Sequence, residues 1–162
     1  MKSVKCRGLF GEITEVPAEK LTWRPGVYGI LIQDEKILLS KQWNGWDFPG
    51  GGIKLGETVH EALVREFKEE TGLTVRPAKL VAVEDNFFQP KFDTDQHWQS
   101  IQLFYTCEYQ SGEISTEGFM GYEKEYMQAA EWVPLSEIDS LKFFNLVDSP
   151  KIIRLATSLQ GV

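Results

Sequence analysis

The alternation of apolar and polar positions divides the chain into short blocks. Val27, Tyr28, Gly29, Ile30, Leu31 and Ile32 form a β-branched apolar run, polar Gln33 to Lys36 follow, and Ile37, Leu38, Leu39 and Ser40 resume it. Two such runs around a polar turn predict a β-hairpin. Further strands are expected near 79–84, 101–108 and 131–133. The period changes to that of a helix at Val59. Thr58 followed by Glu61 three residues on is a capping box, and Gly72 is a stop signal, so the helix is expected over Val59–Thr71. A last helix is expected over about 150–159, with Ser149 as cap and Pro150 in its first turn. The consecutive glycines Gly50, Gly51 and Gly52 predict a tight irregular loop that lets backbone approach something closely. The stretch 86–100 reads as a long loop, and residues 1–24 as a mixed lead-in. Strands alternating with helices, plus a hairpin, predict a single α/β domain with a mixed β-sheet spanning 1–162.

On a helical wheel the first helix has a discordant face. With Val59 at zero, Leu63 falls at about 40°, Phe67 at about 80° and Ala62 at about 300°, which defines the inward side. Glu66 at about 340° and Glu70 at about 20° share it, and Glu69 lies beside them at about 280°. Like charges at i and i+4 repel, and acids belong at a helix N-terminus rather than its C-terminus. Burial without a partner raises their pKa or costs stability. A hard divalent cation resolves all three conflicts. Mg²⁺ is commonly held by one or two carboxylates plus substrate phosphates. The bland alternative is a solvated face on which Arg65 pairs with Glu61 or Glu69.

The chain has 162 residues, 42% hydrophobic and 25% charged, with a formal net charge of −7. That balance disfavours general binding to nucleic acid or an anionic membrane, where cationic residues neutralise phosphate. An anionic substrate would need cations in its site. Cys6 and Cys107 are too few for a disulfide framework and lack metal-ligand spacing. The opening residues contain no signal-type apolar stretch and no run is long enough to span a bilayer, so a cytoplasmic protein is expected.

The spacing around the helix is specific. From Gly51 the chain gives five residues, Glu57, seven residues, then Arg65-Glu66-Phe67-Lys68-Glu69-Glu70-Thr71-Gly72-Leu73. This resembles the Nudix box, G-x5-E-x7-R-E-U-x-E-E-x-G-U with U a bulky apolar residue, over residues 51–73. All nine specified positions match, an agreement expected by chance in one register with a probability of about 10⁻⁹ to 10⁻¹⁰. Trp46-Asp47-Phe48-Pro49-Gly50-Gly51 and Glu131-Trp132-Val133-Pro134-Leu135 extend the resemblance.

Membership of the Nudix hydrolase superfamily implies an α/β/α sandwich with a mixed sheet. It implies hydrolysis of the pyrophosphate link of a nucleoside diphosphate derivative, assisted by Mg²⁺ or Mn²⁺. By that resemblance Glu66, Glu70 and the Gly51 carbonyl are metal ligands, and Glu69 is a further ligand or the general base. Arg65 and Glu57 are orienting partners. A further catalytic glutamate often comes from the loop before the Trp-Val strand; Glu125 is the choice here, with Glu123 and Glu117 as alternatives. Trp43, Phe87, Phe88 and Trp98 are candidate substrate contacts, with Phe92 beside them, since rings can stack on a base. His97 is a candidate acid or base with an incidental loop histidine as the alternative, and His60, projecting from the helix side, reads as structural.

The branch most resembled is the MutT type, which cleaves nucleoside triphosphates to monophosphate and pyrophosphate. An ADP-ribose or nucleotide-sugar pyrophosphatase is the alternative, with Pro90 a faint pointer to it, and a non-catalytic nucleotide-binding protein is the third reading. The partner expected is a small nucleotide, with neither nucleic acid nor membrane, and the family analogy adds a homodimer.

Overall fold

The computed structural model describes residues 2–93 and 95–161; positions 1, 94 and 162 of the expected 1–162 domain lie outside them. Among the described residues, nine strands join one mixed sheet. They are β1 (Ser3–Gly8), β2 (Ile13–Pro17), β3 (Thr22–Gln33), β4 (Lys36–Gln42), β5 (Gly45–Asp47), β6 (Gly50–Gly52), β7 (Thr74–Gln89), β8 (Trp98–Ser111) and β9 (Met127–Pro134). The order is β2-β1-β7-β8-β3-β4-β5, with β6 on β3 and β9 on β4. The pairs β1/β7 and β3/β8 are parallel and the others antiparallel. Helix α1 (Val59–Thr71), the short α2 (Glu123–Tyr126) and α3 (Ser149–Gln160) complete the regular elements.

The central strands are apolar on both faces because a helix covers each face. Strand residues alternate sides. Val27 and Leu31 of β3 and Leu38 of β4 pack with Ala62, Leu63 and Phe67 of α1. Tyr28, Ile30, Ile37 and Leu39 pack with Ile152, Ile153 and Ala156 of α3. This is the expected α/β/α sandwich. Gly29 breaks the β3 stripe for a reason: a Cβ there would stand 2.7 Å from the Phe67 ring.

Four expectations need correction. The lead-in is a β-hairpin, β1–β2, joined to β7 by Arg7↔Phe88 and Gly8↔Gln89. Parallel pairing with a strand some eighty residues away leaves no local pattern to read. The glycine run is not irregular: Gly50, Gly51 and Gly52 pair antiparallel with Tyr28, Val27 and Gly26. Glycines have poor strand propensity, and here tertiary pairing overrides it. The long loop contracts to 90–97, because 86–89 continue β7 and 98–100 begin β8. Finally, the cap of α3 is Asp148, whose Oδ1 accepts from Lys151 N at 3.1 Å, while Ser149 is buried inside the helix start. The box at Thr58 and Glu61 and the left-handed Gly72 (φ 81°) match their expectations.

Candidate active site

Helix α1 delivers its acids to one spot through its two ends. Its start is fixed by the Thr58–Glu61 box and its end by Gly72. Between them Glu66 and Glu70 are each only 8% exposed, although both are carboxylates. Glu70 Oε2 accepts from Ser40 Oγ at 2.8 Å and from Gly50 N at 3.3 Å. Glu66 lies against Gly51 so closely that a Cβ at Gly51 would stand 2.7 Å from its carboxyl carbon. That is the physical demand for glycine at the first position of the box.

Arg65 ties the box together. Its fork holds Glu57 by Nε to Oε1 at 2.5 Å and Nη2 to Oε2 at 2.8 Å, a bidentate arrangement. Nη2 also donates to Gly52 O at 3.1 Å. Nη1 donates to Glu66 Oε1 at 2.7 Å and reaches Glu69 Oε2 at 3.4 Å. One guanidinium therefore connects the glycine strand, the preceding loop and two acids of the helix. The pairing with Glu61 contemplated from the sequence does not form; Glu61 is occupied by Thr58.

Burial sets the electrostatics. Desolvation pushes the Glu70 carboxyl well above its ordinary range, Ser40 partly opposes it, and the charges of Glu66, Asp47 and Glu123 add to it. Glu66 is also raised by desolvation, against the pull of Arg65. Glu57, in the Arg65 fork, is held down at about 2. Asp47 is pushed up to about 7 by desolvation, although it accepts from Phe48 N at 2.7 Å, Gln42 Nε2 at 3.3 Å and Asn145 Nδ2 at 3.4 Å.

These groups face a cleft of about 620 Å³ lined by Ser40, Asp47, Gly50, Gly51, Glu66 and Glu70, among others. Aromatic rings form its walls. Trp43 holds a left-handed backbone (φ 45°), its N bonded to Tyr126 O at 3.0 Å. Its indole stacks on the Tyr126 ring at 4.3 Å. Phe92 stacks on Tyr122 at 4.6 Å, and Lys91 Nζ lies 5.1 Å from the Trp43 ring. Also in the lining, Phe88 meets Trp98 at 5.7 Å, and the Arg24 guanidinium sits 4.5 Å over Trp98.

The candidates named from the sequence divide. Trp43, Phe88, Phe92, Trp98 and Pro90 line the cleft with Gly51, Glu66 and Glu70. Phe87 does not; alternation turns it to the other face of β7, against Val4, Cys6 and Val16. Glu125 is exposed on α2 and off the cleft, whereas Glu123, two residues earlier, lines it. Glu69 and Arg65 flank the lining residues rather than belong to them. His60 is exposed and meets the Tyr105 ring edge-on at 5.2 Å. Sequence reasoning missed Arg24, Ser40, Asp47 and Asn145. Asp47 stands inside the quoted Trp-x-Phe-Pro-Gly-Gly signature and was the findable one.

The donor set suits a hard cation. It offers carboxylate oxygens and a glycine backbone in a desolvated corner where Arg65 pairs with Glu66, while Glu70 is held by the neutral Ser40 hydroxyl and Gly50 N–H. Among the described residues no three His, Cys, Asp or Glu side chains form a ready-made metal cluster. Mg²⁺ ordinarily completes its shell with water and substrate phosphate, so a partial protein set fits it.

The sandwich and the filled 51–73 box define a Nudix-type hydrolase. The family model for the NUDIX domain matches residues 22–155, and the chain belongs to the Nudix family and is a pyrophosphohydrolase. It is 34% identical over 133 residues to an ADP-ribose pyrophosphatase of Methanocaldococcus jannaschii, a match covering 79% of this chain and 69% of that one. It is 30% identical over 139 residues to an RNA pyrophosphohydrolase of Edwardsiella ictaluri, covering 74% and 76%. In fold it resembles the crystal structure of an ADP-ribose pyrophosphatase from Streptococcus suis 89-1591, with TM-score 0.65, 20% identity and coverage of 87% and 94%. It also resembles the MutT protein of Methanosarcina mazei Go1, with TM-score 0.62, 18% identity and coverage of 88% and 99%. No helix of the described residues is long and apolar enough to cross a membrane.

Proposed function

We propose that the chain hydrolyses nucleoside triphosphates to monophosphate and pyrophosphate. The observation that carries this reading is the pair of desolvated carboxylates, Glu66 and Glu70, lining a cleft large enough for one nucleotide. In this reading Glu66, Glu70 and the Gly51 carbonyl hold Mg²⁺, with Mn²⁺ as a substitute. When bound, the cation supplies charge neutralisation and acidification of water. Arg65 keeps Glu66 and Glu69 oriented through Glu57 and Gly52. Glu69, more exposed than Glu66 and reached by Arg65 at 3.4 Å, is the group to ligate or to take a proton from water. Glu123 replaces Glu125 as the loop glutamate, because it borders the cleft and its charge reaches Glu66 and Glu70. The protein works in a reducing compartment, the cytoplasm, in keeping with two buried free thiols.

A second reading, cleavage of ADP-ribose, is supported by the 34% identical relative of that name. The test is a substrate panel in Mg²⁺ and in Mn²⁺, with products separated by chromatography. Triphosphates yielding monophosphate and pyrophosphate uphold the first reading. ADP-ribose yielding AMP and ribose phosphate, with triphosphates inert, replaces it by the second.

A further inference from the structure

The cleft floor carries hydrogen-bonding groups that the phosphate chemistry does not use. Three strands of the sheet contribute them. On β8, Trp98, Ser100 and Gln102 share a face, because every second residue does. On β7, Phe88 and Asn86 lie beside them, through the pairs Phe88↔Trp98 and Asn86↔Ser100. On the other flank Arg24 and Gly26 of β3 sit opposite Ser100 and Gln102. All of these except Gly26 line the cleft. The result is a polar strip of Arg24, Ser100, Asn86 and Gln102, bordered by the ring pair Phe88–Trp98.

Two atoms of the strip are buried without a hydrogen-bond partner: Gln102 Oε1, an acceptor, and Asn86 Nδ2, a donor. Gln102 is 7% exposed as a residue. A buried polar atom without a partner destabilises the fold, and a ligand that pairs it removes that cost. The two atoms together select the ligand chemistry. A phosphate group offers only acceptors at neutral pH and would be repelled by Gln102 Oε1. A purely apolar group would leave both unpaired. An adjoining donor and acceptor on a flat rim, set beside aromatic rings, satisfy both, and the edge of a nucleobase provides them.

We propose that Gln102 and Asn86 are specificity-determining residues that read the base of the nucleotide. Gln102 Oε1 accepts an N–H of the base, and Asn86 Nδ2 donates to its ring nitrogen or carbonyl oxygen, with Phe88 and Trp98 at the rim. This rests on the nucleotide-hydrolase reading for its ligand but is independent of the metal and of bond cleavage.

The experiment measures binding of the four common nucleoside 5′-monophosphates and of ribose 5-phosphate to the full chain by calorimetry. It uses the wild type, Gln102→Met and Asn86→Leu. Met keeps the length and bulk of Gln without its hydrogen bonds. The expectation for the wild type is a preference of about tenfold or more between the tightest and weakest base, from one neutral hydrogen bond made or missed. Ribose 5-phosphate should bind more weakly than any of them. Gln102→Met and Asn86→Leu should each flatten the base preference to within about threefold and leave ribose 5-phosphate unchanged. Melting of Gln102→Met should not fall, because an unpaired buried oxygen has been removed.

Preserved base preference in both variants overturns the proposal. So does an equal weakening of ribose 5-phosphate, or a marked fall in Tm of Gln102→Met, which would make Gln102 structural. If no monophosphate binds while the wild type still cleaves a pyrophosphate link, this proposal fails and the hydrolase reading stands. If cleavage is also missing from the whole substrate panel, both fail.

Discussion

Helices α1 and α3 cover opposite faces of the same sheet, and they differ in what they bury. Helix α3 starts at an Asp cap, ends at Gly161 and buries Ile152, Ile153 and Ala156 against β3 and β4. Helix α1 is capped equally well and buries Ala62, Leu63 and Phe67 in the same manner. Within its inward stripe, however, it also buries Glu66 and Glu70, whose carboxyls are raised by desolvation. One helix is built wholly for stability. The other buries carboxylates at its C-terminal end at a cost in stability, and that local inconsistency is what supports the proposed site.

Substitutions on the two helices should separate these roles. Glu70→Gln, with the charge removed and the shape kept, should lower kcat about 10²–10³-fold, the loss seen when a transition-state electrostatic contact is removed. Its circular dichroism should stay native. Turnover within a few fold of wild type would remove Glu70 from the reaction. Ile153→Ala on α3 should show the reverse: about 2–5 kcal/mol lost in denaturant unfolding, with kcat per folded molecule unchanged. Arg65→Lys should lower kcat about tenfold or more, because an ammonium cannot hold Glu57, Gly52 and Glu66 as one fork. Normal kinetics for that variant would make the fork dispensable.

The smaller effects are on stability. Asp47 is raised to about 7 in the folded protein and is ordinary when unfolded. The folded state therefore keeps a proton the unfolded state has lost, and stability falls as pH climbs from about 4 to about 7. Asp47→Asn should flatten that part of a Tm–pH curve; an unchanged slope would assign it to other groups. Asp148→Ala should cost only about 1 kcal/mol through the lost cap, readable as a Tm drop of about 2–4 °C.

Much of α1 was legible because its signals are local. The capping box, the Gly72 stop and the wheel position of Glu66 and Glu70 all lie within the fifteen residues from Thr58 to Gly72. The box spacing named the family, and the family resemblance, rather than the strand pattern, supplied the layer on each face. The unread parts depend on distant partners. The β1–β2 hairpin is defined by β7, and β6 forms from three glycines only because β3 pairs with it. Phe87 and Phe88 are adjacent in sequence, yet β alternation sends one to the hairpin and the other to the cleft. The loop before the Trp-Val strand offered Glu117, Glu123 and Glu125 without a pattern to choose among them, and it is the single turn of α2 that leaves Glu123 lining the cleft. Ser40 became visible as a partner of Glu70 only through a contact thirty positions apart.

The central claim is that the acidic end of α1 is kept for a divalent cation. It is tested most directly by melting wild type, Glu66→Gln and Glu70→Gln at about pH 8, with EDTA and with saturating Mg²⁺. A cation bound only to the folded state stabilises it by mass action. The account predicts that Mg²⁺ raises Tm of the wild type and much less that of either variant, and that in EDTA Glu70→Gln melts above wild type because a buried charge has been removed. An equal Mg²⁺ shift in all three proteins, or a Glu70→Gln protein that melts below wild type in EDTA, would contradict it.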